Sequence, residues 1–149
     1  MDHSATTPLD KRVFKAMQPY FSKKYGNPSS LHSFGQEAVK GVAKAREQIA
    51  KFLNCEPDEI IFTSGATESD NLTIKGIIKA VKQKIDKPHI ITSIIEHKAI
   101  LEPCLELEKE GVEVTYIGVD KRGVVNTEDI TKAIRENTVL VSIMYVNSE

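Results

Sequence analysis

The sequence predicts an α/β fold, a parallel or mostly parallel sheet with helices on its faces. From residue 59 onward, short apolar runs rich in β-branched residues alternate with longer segments of helical periodicity. The last of the runs, TVLVSIMYV, is almost continuously apolar, as a strand covered on both faces must be. The segments between runs are long enough for the helical crossovers that parallel neighbours require.

Two helices come first. DKRVFKAMQPYF can be capped by Asp10, and SFGQEAVKGVAKAREQIAKFLN can end at Asn54. Between them KKYGNPSSLHSFG is too long and too rich in Gly, Pro, Asn and Ser for a simple turn, and such loops often reach a site. EIIFTS, from Glu59 to Ser64, reads as a first strand. The helix after it, Thr67 to Lys84, places Leu72, Ile74, Ile77, Ile78 and Val81 at helical spacing. HIITSI, from His89 to Ile94, is a second strand. The helix from Lys98 carries Ile100, Leu101, Cys104, Leu105 and Leu107 and stops at Gly111. VEVTYIGV is a third strand, NTEDITKAIREN a helix with capping residues and acids in its first turn, and TVLVSIMYV a fourth strand.

Composition narrows the function classes. The 149 residues suit one domain or part of one. Twenty basic and twenty-one acidic side chains give a net charge of −1 without clustering, which argues against a nucleic-acid surface. No apolar run approaches the roughly 20 residues of a membrane span, and the start lacks a secretory core, so a cytoplasmic protein without a membrane partner is expected. Cys55 and Cys104 have no Cys-x-x-Cys spacing and no histidine at metal-ligand intervals, so no metal site is expected. A dinucleotide fingerprint and a P-loop are also missing.

In open α/β sheets ligands gather beyond the carboxyl ends of the strands. Three stretches fall there: SGAT after the first strand, IIEHKA after the second and YVNSE after the fourth. The first is a turn of small and hydroxyl residues opening onto a helix, which either caps that helix or offers its N–H groups to an anion. A phosphate cradle, an imidazole and a polar amide would face one crevice.

DHSATTPLD, YGNPSSLHSFGQEA, IIFTSGATESDNLTIKG, HIITSIIEHKAIL, GVEVTYIGVDKRGVV and TVLVSIMYVNSE occur in the order of the landmarks of one family. The chain resembles the N-terminal portion of a cysteine desulfurase, an enzyme of the class-V aminotransferase group that uses pyridoxal 5'-phosphate (PLP). The resemblance implies the large cofactor domain of fold-type I aminotransferases. Residues 58–149 would be its incomplete first half, and residues 1–57 an N-terminal helical segment with an active-site loop. It implies that Ala66 and Thr67 help form the cup for the cofactor phosphate. His97 would lie over the pyridine ring and move protons during the reaction, the alternative being a helix-capping contact alone. Ser148 stands where the family usually has a second Asn that reaches the cofactor's phenolic oxygen; a serine is shorter. Asn27 and His32 belong to a loop that borders the family's active site. Lys98 follows a histidine, but the family's cofactor-bearing lysine lies in a later Ser-x-His-Lys context.

The implied reaction takes L-cysteine to L-alanine and leaves the sulfur as a persulfide on an enzyme cysteine, for a sulfur acceptor or iron–sulfur scaffold protein in cluster-assembly or thiolation pathways. In the family the lysine, the pyridine-nitrogen aspartate, the carboxylate-binding arginine and the persulfide cysteine all come later than Glu149. The chain is therefore expected to be incomplete at both ends and inactive alone, its full-length parent a homodimer. Another class-V enzyme, or a non-catalytic fragment or half of a split enzyme, is the alternative.

Overall fold

Asp10 opens the first helix of the computed structural model, which describes residues 6–147 and divides into two units between Phe62 and Thr63. Its carboxylate accepts the Arg12 N–H at 2.7 Å, and helix α1 runs Lys11–Ser22. Helix α2, Ser33–Leu53, ends on Asn54 at φ 55°, a left-handed cap whose N–H returns to Ala50 and Lys51. That φ explains why an asparagine stands there. The loop between the helices folds back on α2: a Cβ on Gly35 would lie 2.1 Å from the Ser30 carbonyl oxygen, so only glycine fits. Gly41 likewise admits the Tyr20 ring against α2.

The strand expected over Glu59 to Ser64 does not form. Pro57–Glu59 is a single 3-10 turn and Ile60 is extended at φ −89°, ψ 122°, but the run joins no ladder. A strand exists through its partner's hydrogen bonds. Here Arg46 of α2 donates to the Ile60 carbonyl and places its guanidinium 4.9 Å from the Phe62 ring centroid. The apolar run is thus tethered to a helix, with Ile61 left 70% exposed.

The second unit holds the sheet. Helix α3 (Ala66–Val81) precedes strand β1 (His89–Ser93), helix α4 (Lys98–Lys109), strand β2 (Glu113–Ile117), helix α5 (Thr127–Ala133) and strand β3 (Thr138–Ser142). The three strands are parallel in the order β2-β1-β3, so β1 is central. Thr92 pairs with Tyr116 on one side and Ser142 on the other, which brings the strands' carboxyl ends level. All five residues of β1 are buried, as a central parallel strand requires.

One core joins α3, α4 and a sheet face: Ile74, Ile78, Ile90, Ile100, Cys104, Leu107 and Val112. Burying each isoleucine or leucine there contributes about 1.5–3 kcal/mol before conformational entropy is counted. Leu72, counted in the apolar stripe, instead faces solvent. Gly111, at φ 89°, follows α4 where the sequence placed its end. Among the described residues no helix is long and apolar enough to cross a membrane.

Candidate functional site

Helix α3 begins where the chain leaves Gly65. No side chain caps it, and the space where a Cβ on Gly65 would sit is empty to 4 Å. Ala66 and Thr67, the first two helical residues, are exposed. An uncapped helix start presents backbone N–H groups and the positive end of the dipole, which suits a small dianion. The one acid in the turn, Glu68, turns back, accepting the Ser64 N–H at 2.7 Å and the Ser64 hydroxyl at 2.6 Å. Those bonds hold its carboxyl below the ordinary range. Thr63 and Ser69 share a hydroxyl contact of 2.7 Å beneath the turn. The residues present fit a phosphate group.

His97 follows β1 by four residues and caps α4. Its backbone is extended, and its Nδ1 accepts the Ala99 N–H at 3.1 Å. The ring is exposed. With Nδ1 engaged as acceptor, the neutral imidazole carries its proton on Nε2, the nitrogen left for a ligand. Capping and ligand contact are therefore compatible uses of the same ring. Asn71 ties the two helix starts together, its Nδ2 lying 3.0 Å from the Thr67 carbonyl and 3.5 Å from that of Ala99. Ala66, Thr67 and His97 thus share one end of the second unit.

The segment after β3 is fastened to the same place. Glu96 is buried, and its Oε1 accepts from the Ser93 hydroxyl at 2.8 Å and the Met144 N–H at 2.7 Å. Asn147 donates from Nδ2 to the Ile95 carbonyl at 2.9 Å. A cavity of about 800 Å³ opens beside these contacts, lined by Ser93, Ile95, Arg122, Thr127 and the segment from Ile143 to Asn147. Ser148 lies outside the described residues.

Asn27 and His32 lie in the first unit. Asn27 accepts the Ser29 N–H at 2.9 Å, and His32 caps α2 through Gly35 at 3.4 Å, so both side chains shape their own loop. Cys104 is fully buried in the core and burial, with the charges of Glu108 and Glu96, pushes its thiol up to about 11. Sequence reasoning passed over Glu96 and Asn71. The signal for Glu96 was on view: an acid directly after the apolar pair Ile94-Ile95, at a strand's carboxyl end, is costly to bury unless bonded.

The aminotransferase class-V family model matches residues 1–149. Over 149 residues the chain is 52% identical to the cysteine desulfurase IscS of Dictyoglomus turgidum, covering 100% of this chain and 37% of that protein. Among solved structures it superposes on a NifS-like protein with a TM-score of 0.93 and 47% identity, over 99% of this chain and 40% of that one. It superposes on SspA in complex with cysteine with a TM-score of 0.90 and 43% identity, over 99% and 42%. The chain therefore spans well under half the length of the relatives it matches, all along its own. The family model spans the whole chain and the solved relatives share its α/β fold with a parallel sheet, so the chain belongs to the class-V aminotransferases.

Proposed function

We propose that this chain is the N-terminal part of a PLP-dependent cysteine desulfurase, supplying the phosphate cup and the ring-facing histidine of its cofactor site. The observation that carries the reading is the uncapped α3 start placed at the same end of one sheet unit as an exposed, Nδ1-anchored imidazole. The relatives named cysteine desulfurase support the activity, and the relative solved with cysteine supports the substrate class.

The residues have separable roles. The N–H groups of Ala66 and Thr67, with the Thr67 hydroxyl, hold the phosphate and neutralise it with the helix dipole. His97 would face the cofactor's pyridine ring and help orient it, with Nε2 free to hold or pass a proton. Asn71 keeps these two contacts in register. Ser148, which lies outside the described residues, would stand at the position of the family's phenolic-oxygen contact, and Asn27 and His32 shape the loop of the first unit. PLP supplies an electron sink that lets bonds at the substrate's α-carbon break. The sulfur passes to an enzyme cysteine and then to an acceptor or iron–sulfur scaffold protein, from a cytoplasmic homodimer.

The 149-residue chain alone is inactive in this reading. The test is to read the coding sequence past Glu149 and assay its product. Continuation through a Ser-x-His-Lys stretch is expected, with alanine formed from L-cysteine and an equal amount of sulfide released when an added dithiol reduces the persulfide. Single-lysine labelling by borohydride and PLP in the 149-residue chain, with turnover of cysteine, contradicts the division of labour.

A further inference from the structure

Glu96 is an acidic side chain to which the reaction above gives no task. It is 7% exposed, and both of its donors, the Ser93 hydroxyl and the Met144 N–H, are uncharged. Burying a carboxylate among neutral donors costs desolvation that an isoleucine at the same place would avoid. Packing alone therefore does not call for it. A carboxylate oxygen is, however, the strongest acceptor available to a side chain, and its bonds to N–H and O–H are short and directional.

What those bonds join is specific. Ser93 ends β1, and one residue beyond Glu96 stands His97. Met144 lies in the segment after β3 that leads to Asn147. The two segments are crosslinked twice, the later one donating each time: the Met144 N–H to the Glu96 carboxylate, and the Asn147 side-chain amide to the Ile95 carbonyl at 2.9 Å. Between them they fix the turn that carries the imidazole against the segment lining the 800 Å³ cavity.

We propose that Glu96 is a positioning residue of the cofactor site: by accepting from Ser93 and Met144 it sets the spacing between the His97 ring and the segment from Ile143 to Asn147. It acts through its acceptor oxygen rather than through its charge. The proposal rests on the reading that His97 lies over a cofactor ring. Without the acceptor, the Met144 N–H and the Ser93 hydroxyl are left buried and unpaired, the turn loosens, and the Nδ1 anchor at Ala99 is held only part of the time.

The test uses the 149-residue chain with Glu96→Gln, Glu96→Ala and Ser93→Ala. Two quantities are read: the ring-nitrogen NMR signals of His97 without ligand, and affinity for PLP by equilibrium dialysis. Glu96→Gln keeps an acceptor oxygen and is expected to match the parent in His97 signals and, within about twofold, in affinity. Glu96→Ala is expected to mix the His97 tautomers and weaken PLP by about tenfold or more, the scale of one donor left unpaired. Ser93→Ala falls between. An alanine variant equal to the parent in both readouts overturns the proposal, as does a glutamine variant that behaves like alanine. Where the parent takes no PLP but the His97 signals still separate alanine from glutamine, the role of Glu96 in placing His97 stands and the cofactor reading falls. Should Glu96→Ala fail to fold, Ser93→Ala decides, and unchanged His97 signals in it overturn the proposal.

Discussion

The Nδ1 atom of His97 accepts the backbone hydrogen of Ala99 at 3.1 Å, so the residue proposed to face the cofactor also closes the first turn of α4. These two jobs can be separated by substitution. Asparagine caps a helix at least as well as histidine but has no ring. His97→Asn is expected to keep thermal stability within about 0.5 kcal/mol while losing most of the affinity for PLP, as read by melting and by dialysis. Equal loss of both would reduce His97 to a capping residue.

Cys104 should be chemically silent. Its thiol is buried and raised to about 11, so at neutral pH almost none is thiolate, the form that attacks disulfides. Titration with an aromatic disulfide reagent is expected to modify only Cys55 in the folded chain and Cys104 after denaturation. Rapid modification of Cys104 in the folded state would reopen it as a sulfur carrier.

His89 makes stability depend on pH. Its ring is fully buried at the start of β1, with Nδ1 and Nε2 each 2.8 Å from a hydroxyl, of Thr138 and Thr115. Burial lowers its pKa, Arg135 adds to the effect and Glu113 opposes it. The unfolded chain therefore takes up a proton that the folded chain refuses. The contribution is complete above the unfolded value of about 6.5 and is lost as pH falls from there through the folded value, at no more than about 1.4 kcal/mol per pH unit. Urea unfolding between pH 8 and pH 5 is expected to show this fall in the parent and a flatter profile in His89→Gln.

Thr92 carries the one buried side-chain polar atom without a partner among the described residues. Its hydroxyl is desolvated for no return. Thr92→Val, nearly the same in shape, is expected to be neutral or to gain up to about 2 kcal/mol in urea unfolding. A loss of that size would mean the hydroxyl meets a group outside the described residues.

Most elements were legible in the sequence, and for physical reasons. Strong periodicity marked α3, α4, β1 and β3, while Asp10 opened its helix and Asn54 and Gly111 ended theirs through local chemistry that needs no tertiary information. The run from Glu59 to Ser64 was not legible. An apolar β-branched sequence states a preference for extended backbone, which Ile60 adopts, but not the presence of a ladder partner, and Arg46 claims its carbonyl instead. At the site, the imidazole could be placed from its position after a strand end, whereas the SGAT turn follows a run that joins no ladder and was legible only as a helix start. The long-range bonds of Glu96 to Met144 and Asn71 to Ala99 could not be read, because they depend on how separate segments meet.

The central claim is that the α3 start holds the phosphate of PLP, and a phosphorus NMR titration addresses it most directly. Titrating PLP with the chain should move its phosphorus resonance saturably. Pyridoxal without the phosphate should fail to compete, and Thr67→Val should weaken binding by about threefold to tenfold, the worth of one hydroxyl bond. A resonance that stays at its free position, or pyridoxal competing as well as PLP, would contradict the claim.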